Sequence, residues 1–283
     1  MLVALASAAG SPGVTTTALA LALHWPRPVV LVEADPCGSS GLLAGYFRGQ
    51  LDQPGLVDLV IAQRSDLLGD AVPRLLFELE GSNASVLFGL RSHEQSAGAS
   101  QLWPPLLEVL HGLDPAATDV IVDAGRLGLP GWPQPLVMGA DAVLLLTRSD
   151  LPGLAGARSW AATLAREDAP GHTTRILLVG ESRPYGAREV GKTLGVPVLG
   201  SIEWSPELAR VYSHGRPAPD LPWWRRIGRN SGAERKAFEG SAYVRSIQAV
   251  TGAIQSLADS TAPAPFRSVL AQAGVTSERG TTA

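Results

Sequence analysis

Short apolar runs alternate with longer stretches of helical periodicity along most of the chain. The runs Leu2–Ser7, Val29–Glu33, Ser85–Leu90, Asp119–Asp123, Ala142–Thr147, Arg175–Val179 and Val198–Ile202 are apolar at nearly every position, not at every second one. A strand reads this way when both its faces are covered, as in a parallel sheet between two helical layers. The intervening spacing predicts a helix from about Thr15 to just before Pro26. Others are expected over Leu56–Arg64, Leu67–Leu79, Pro105–Leu113, Leu154–Arg166, Ala187–Leu194 and Pro206–Ser213. Such alternation is the mark of βαβ units. The expected fold is therefore α/β: a doubly wound, mostly parallel sheet of about seven or eight strands with helices on both faces.

The alternation breaks after Gly215. Residues 216–235 are rich in Pro, Trp and Arg, and an amphipathic helix is expected over Ala242–Leu257, with Val244, Ile247, Ile254 and Leu257 at helical spacing. Docking of this helix on the sheet is favoured over membrane binding. Residues 260–283 hold few apolar groups and read as a disordered tail. The expected organisation is one domain over 1–215, a Trp/Arg-rich linker with a packing helix over 216–259, and a tail over 260–283.

Composition narrows the function classes. With 283 residues, 45% hydrophobic and 17% charged, the chain can build one large dry core. A net charge of -3 argues against a general DNA binder. Cys37 is the only cysteine, which excludes an internal disulfide and fits a reducing, cytoplasmic setting. The opening Met-Leu-Val-Ala-Leu-Ala lacks a basic stretch and reads as a strand, not a signal peptide. The five histidines have no metal-ligand spacing, and no G-x-S-x-G element occurs. Of 23 basic residues only Lys192 and Lys236 are lysines.

The segment carrying the most chemistry is Gly10-Ser11-Pro12-Gly13-Val14-Thr15-Thr16-Thr17, between the first strand and the first helix. A helix start presents unpaired N–H groups and the positive end of the helix dipole, so it binds anions. Against G-x-x-x-x-G-K-[ST], Gly10 stands at the first glycine and Thr15 at the second. Thr16 then stands at the lysine and Thr17 at the magnesium-binding hydroxyl.

The segment resembles the deviant Walker A, K-G-G-V-G-K-T-T, of the ParA/MinD family of P-loop ATPases. Gly13-Val14 match it, Pro12 replaces a glycine, and Ser11 replaces the family's signature lysine. Leu31-Val32-Glu33-Ala34-Asp35-Pro36 resembles the family's D-x-D-P element, with Glu33 and Asp35 as its acids. Asp119-Val120-Ile121-Val122-Asp123 resembles the Walker B strand, with Asp123 at its magnesium-facing end. Leu194-Gly195-Val196-Pro197-Val198-Leu199-Gly200-Ser201-Ile202 is similar to a late family strand. The resemblance covers about residues 1–215 and implies the P-loop fold. It also implies an ATP or ADP site with magnesium at Thr17, Asp123 and Glu33, and Asp35 orienting a water in an active enzyme.

Both family lysines are replaced, so nucleotide and magnesium binding are expected to be weak or absent, with little ATPase activity. Arg27 and Arg126 are the candidate substitutes by sequence proximity. Val179-Gly180-Glu181-Ser182-Arg183 lacks the asparagine that reads adenine in the family, while Trp204 stands where it would either stack on a base or simply pack. Trp223, Trp224, Arg225, Arg226 and Arg229 form a candidate partner surface, the alternatives being a tucked-in linker, an anionic membrane or a DNA backbone. Family members with damaged Walker A loops resemble TadZ/CpaE. That implies a positioning or scaffolding factor for a secretion, pilus, division or partitioning machine. The partner would be a protein, such as a secretion or pilus ATPase, and the resemblance also allows a homodimer and membrane contact through that partner. A slow magnesium-dependent ATPase of the MinD type and a DNA-partitioning protein are the alternatives.

Overall fold

Alternate side chains of each central strand enter opposite layers, and this period of two builds two cores from one sheet. In β1 (Leu2–Ser7), Leu2, Ala4 and Ala6 join one layer, while Val3 and Leu5 join the other. The computed structural model describes residues 1–9, 12–114, 117–166, 172–217 and 232–261.

After β1 come α1 (Val14–Leu23), β2 (Val29–Glu33), a single π-turn over Leu42–Tyr46, α2 (Leu56–Gln63) and α3 (Leu68–Leu75). Next are β3 (Phe77–Glu78), β4 (Ala84–Leu87), α4 (His93–Ala99), α5 (Trp103–His111), β5 (Asp119–Arg126) and α6 (Gln134–Met138). The chain continues through β6 (Ala142–Arg148), α7 (Leu151–Arg166), β7 (Thr173–Val179), α8 (Ala187–Leu194), β8 (Val198–Ile202) and α9 (Pro206–His214). The last described helices are α10 (Gly232–Glu239) and α11 (Ala242–Thr261). The sheet order is β3-β4-β2-β5-β1-β6-β7-β8, and every pairing is parallel except β3 with β4. The expected doubly wound α/β sheet is therefore present with eight strands.

Helices α2, α3, α5, α6, α7 and α8 cover one face. The other face takes α1, the π-turn, α9 and α11. Helix α1 is apolar all round because it is covered all round: Ala18 to Ala22 lie between the sheet, α9 and α11. Helix α11 lays Val244, Ile247 and Ile254 into that layer, against β8 and α1. Each such side chain removed from water contributes roughly 1.5–3 kcal/mol.

Several local expectations fail. The helix read over Leu67–Leu79 stops at Leu75, because Phe77 turns into an edge-strand pairing and packs on Phe47 and Phe88. Tertiary aromatic contacts override the helical spacing there. The strand read as Ser85–Leu90 spans Ala84–Leu87, and Phe88 bridges to Gly55 instead. The π-turn, α4 and α6 are short and had no readable period. Gly10, Ser11, the Trp223–Arg229 cluster and the tail from 262 lie outside the described residues.

At the N-terminal edge of the parallel strands, Asp119 is 1% exposed and accepts hydrogen bonds from Trp25 Nε1 (2.8 Å), the Met1 amino group (3.0 Å) and the Arg27 guanidinium. Burial alone would push its carboxyl up, but the bonds from Arg27, Trp25 and Met1 together hold it below the usual range. The ionised form is thus favoured by folding, and its contribution is lost as pH falls through the depressed value. Asp119→Asn is expected to cost about 1–3 kcal/mol at pH 7, and the deficit is expected to shrink below about pH 4. Urea unfolding at the two pH values measures this, and a pH-independent deficit would exclude the charge as its cause.

Candidate functional site

The C-terminal ends of β2, β5, β1 and β6 lie side by side, where open α/β sheets bind ligands. The loop after β1 ends at Gly13, whose left-handed backbone (φ 88, ψ 49) immediately precedes α1. A side chain there would be strained, which is why this turn requires glycine. Helix α1 starts at Val14, so Thr15 and Thr16 sit in its first turn.

Thr15 faces the acids. Its hydroxyl lies against the Asp123 carboxyl, and it lines a cavity of about 150 Å³ with Glu33, Asp35, Cys37, Ser40 and Gly89. Asp123 is 1% exposed; the Gly125 N–H donates to its Oδ1 (3.1 Å), and Oδ2 has no hydrogen-bond partner among the described residues. Gly125 has φ +59, and a β-carbon there would overlap the Asp35 carboxylate, so this glycine makes room for the acid. The Cys37 N–H donates to Asp35 Oδ1 (2.9 Å).

Glu33 behaves differently from its two neighbours. Its Oε2 accepts from Ser40 Oγ (2.5 Å) and Gly89 N–H (2.9 Å), and its Oε1 accepts from Leu42 N–H (3.0 Å). Glu33 therefore ties the start of the π-turn to the sheet, and it also lines the acid cavity.

These positions correct the loop's frame. Thr15, not Thr17, carries the hydroxyl beside the Walker-B-like acid. Gly13 takes the place of the second glycine, and Val14 the place of the lysine. Counted back from Thr15, the G-K-[ST] frame lies two residues before the one that Gly10 suggested. Val14 is 7% exposed and packs in the apolar layer with Leu5 and Leu146. Thr17 is 5% exposed and, with Thr16, lines a second cavity. Lys192 and Lys236 sit in α8 and α10, away from the loop in sequence.

The chain superimposes on MinD of Pyrococcus horikoshii complexed with Mg-ADP, with a TM-score of 0.68 and 17% identity over 93% of this chain and 99% of that one. The fold is that of MinD and the ParA-family ATPases. MinD in the MinC:MinD complex of Aquifex aeolicus gives a TM-score of 0.67 at 15% identity, covering 90% of this chain and 95% of that one. A ParA-family ATPase of Chlorobium tepidum gives 0.62 at 15% identity, covering 89% and 97%. No protein-family model and no curated protein matches the chain.

Within this MinD-like fold the second cavity, also about 150 Å³, lies between the start of α1 and the loop after β8. Pro12, Gly13, Thr16 and Thr17 form one wall and Trp204 another. Arg148, the last residue of β6, holds its guanidinium 4.8 Å from the Trp204 ring centroid. Reading the sequence missed Arg148, since its only signal was a basic residue closing an apolar strand. Arg27 is excluded as a substitute for a lysine here, because it pairs with Asp119 at the opposite edge of the sheet. Arg126 is exposed at the end of β5, and its charge reaches the Cys37 side of the acid cavity.

Burial, and then the charges of Asp35 and Glu33, push the Asp123 carboxyl up to about 7 against the bonds from Thr15 and Gly125. Burial also raises Glu33, opposed by its donors from Ser40, Leu42 and Gly89. A carboxyl raised in this way holds its proton more tightly when folded, so its ionisation lowers stability as pH rises from about 4 to about 7. Asp123→Asn is expected to be more stable than wild type at pH 8 by on the order of 1–3 kcal/mol, with the gap narrowing towards pH 5. Denaturant midpoints across that range test the sign; a variant less stable at pH 8 would show that the charge is compensated.

Proposed function

We propose that this chain is a positioning or scaffolding factor whose nucleotide site binds weakly and turns over ATP little or not at all. The observation that carries the reading is Val14. Where a P-loop offers an ammonium group to the phosphates, this loop offers a buried isopropyl group. Removing one preorganised donor of transition-state charge costs roughly 3–4 kcal/mol, and a neutral threonine hydroxyl compensates little of that.

The other parts of such a site remain. Thr15 and Asp123 would hold magnesium from the phosphate side and Asp35 would orient a water, so the chain keeps the metal half and lacks the cationic half. Gly10, Ser11, Pro12, Gly13, Thr16 and Thr17 would line the phosphates and nucleoside. A protein partner is part of this reading, and the Aquifex structure supports it, being a MinC:MinD complex. A homodimer and a secretion or pilus ATPase as partner rest on resemblance, as does a cytoplasmic location. No helix of the described residues is long and apolar enough to cross a membrane, and membrane contact through the partner rests on the resemblance alone. The net charge of -3 disfavours the DNA-partitioning reading.

The surviving acids favour one second reading, a slow magnesium-dependent ATPase. It requires turnover that disappears in Asp35→Ala and in Asp123→Ala. In the preferred reading, wild-type turnover stays at background. Val14→Lys is then expected to tighten ATP binding at least about tenfold, as one charged contact would, while Thr16→Lys does not. Calorimetry with magnesium-ATP separates the two lysine variants, and tighter binding by Thr16→Lys alone would restore the unshifted frame.

A further inference from the structure

The cavity between α1 and Trp204 has two unlike sides. Val179, Ile202, Pro206 and Tyr243 make one side largely apolar. The other carries Thr16 and Thr17 of α1, together with Arg148, whose guanidinium lies over the Trp204 ring. Arg148 reaches this place because β6 lies beside β1, the strand that feeds the loop.

Trp204 fixes where that charge sits. The face of an indole ring carries partial negative charge, and a guanidinium stacked 4.8 Å from its centroid is held there. Trp204 is itself confined, since Gly180 (φ +79) leaves only enough room that a β-carbon would come within 3.2 Å of its Cβ. The cavity thus joins an apolar slot to a positioned cation, two hydroxyl-bearing residues and the positive end of the α1 dipole, with one carboxylate, Glu203, also in its lining. Those features match a ligand with a flat, weakly polar part and an anionic part.

We propose that Arg148 supplies the positive charge for the phosphates of a nucleoside diphosphate in this cavity, in place of the lysine that Val14 displaces. The inference rests on the nucleotide-site reading above and adds the source of the charge, which is the end of β6 and not the loop. A planar guanidinium with several fixed donors suits phosphate recognition. Held on the indole, it can bind a resident nucleotide without following charge onto a transferring phosphoryl group, so weak binding and catalytic silence become compatible.

The test is calorimetric titration of the full chain with magnesium-ADP, using wild type, Arg148→Lys and Arg148→Met. Methionine covers the same indole face without charge, so it separates electrostatics from packing. Wild type is expected to bind, the Met variant to bind about tenfold or more weakly, and the Lys variant to bind at least about threefold better than the Met variant. Thermal melting checks that each variant is folded, and Arg148→Gln replaces a Met variant that is not. No binding by wild type, unchanged binding by the neutral variant, or equal loss in the Lys variant would each overturn the proposal. Absent wild-type binding removes Arg148 and leaves a silent scaffold standing. Brisk ATP turnover removes the silent scaffold and leaves Arg148 to be judged by its variants.

Discussion

Carboxylates crowded under the first turn of α1 are the constraint on which the site depends. Asp123, Asp35 and Glu33 converge there from β5 and β2. Buried like charges are costly, and three partial compensations are built in. Glu33 accepts from three donors, Asp123 takes Thr15 and the Gly125 N–H, and Asp35 takes the Cys37 N–H. What remains is an Asp123 oxygen without a hydrogen-bond partner among the described residues and a carboxyl pushed up to about 7. Such a group answers to any cation brought next to it.

The same crowding links the site to the fold. The bonds from Glu33 to the start of the π-turn fix the segment after β2, and the π-turn's Leu42 and Leu43 enter the layer that also holds Val14. Val14 is accordingly both a core residue and the occupant of a position where chemistry would want a charge. A lysine there would give up part of that packing to reach the phosphates. In the proposed function that packing stands in place of the charge, and the guanidinium at the neighbouring cavity comes from the next strand over, at Arg148.

Much of the architecture was legible because its signals are local and repeated. Near-continuous apolar runs separated by helical spacing located seven of the eight strands, and the order of motif-like segments matched the MinD-like fold. The eighth strand, β3, escaped because two residues pairing at an edge carry no period of their own, and Phe77 is held there by Phe47 and Phe88. The donors on Glu33 escaped for a related reason: a carboxylate looks the same in sequence whether or not N–H and O–H groups converge on it.

By itself the sequence determined that this chain forms a covered parallel sheet, that acids stand at the end of its second strand and within its fifth, and that no lysine stands in the loop between β1 and α1. Those are properties of residue type and spacing. Only the tertiary structure decided which threonine meets the acids, since a helix that starts at Val14 rotates Thr15 towards Asp123 and sends Thr17 to the other cavity. It alone also decided that Arg27 serves Asp119 at the far edge while Arg148 meets Trp204. Distance along the chain says little about which strand ends lie together, and charge acts through space.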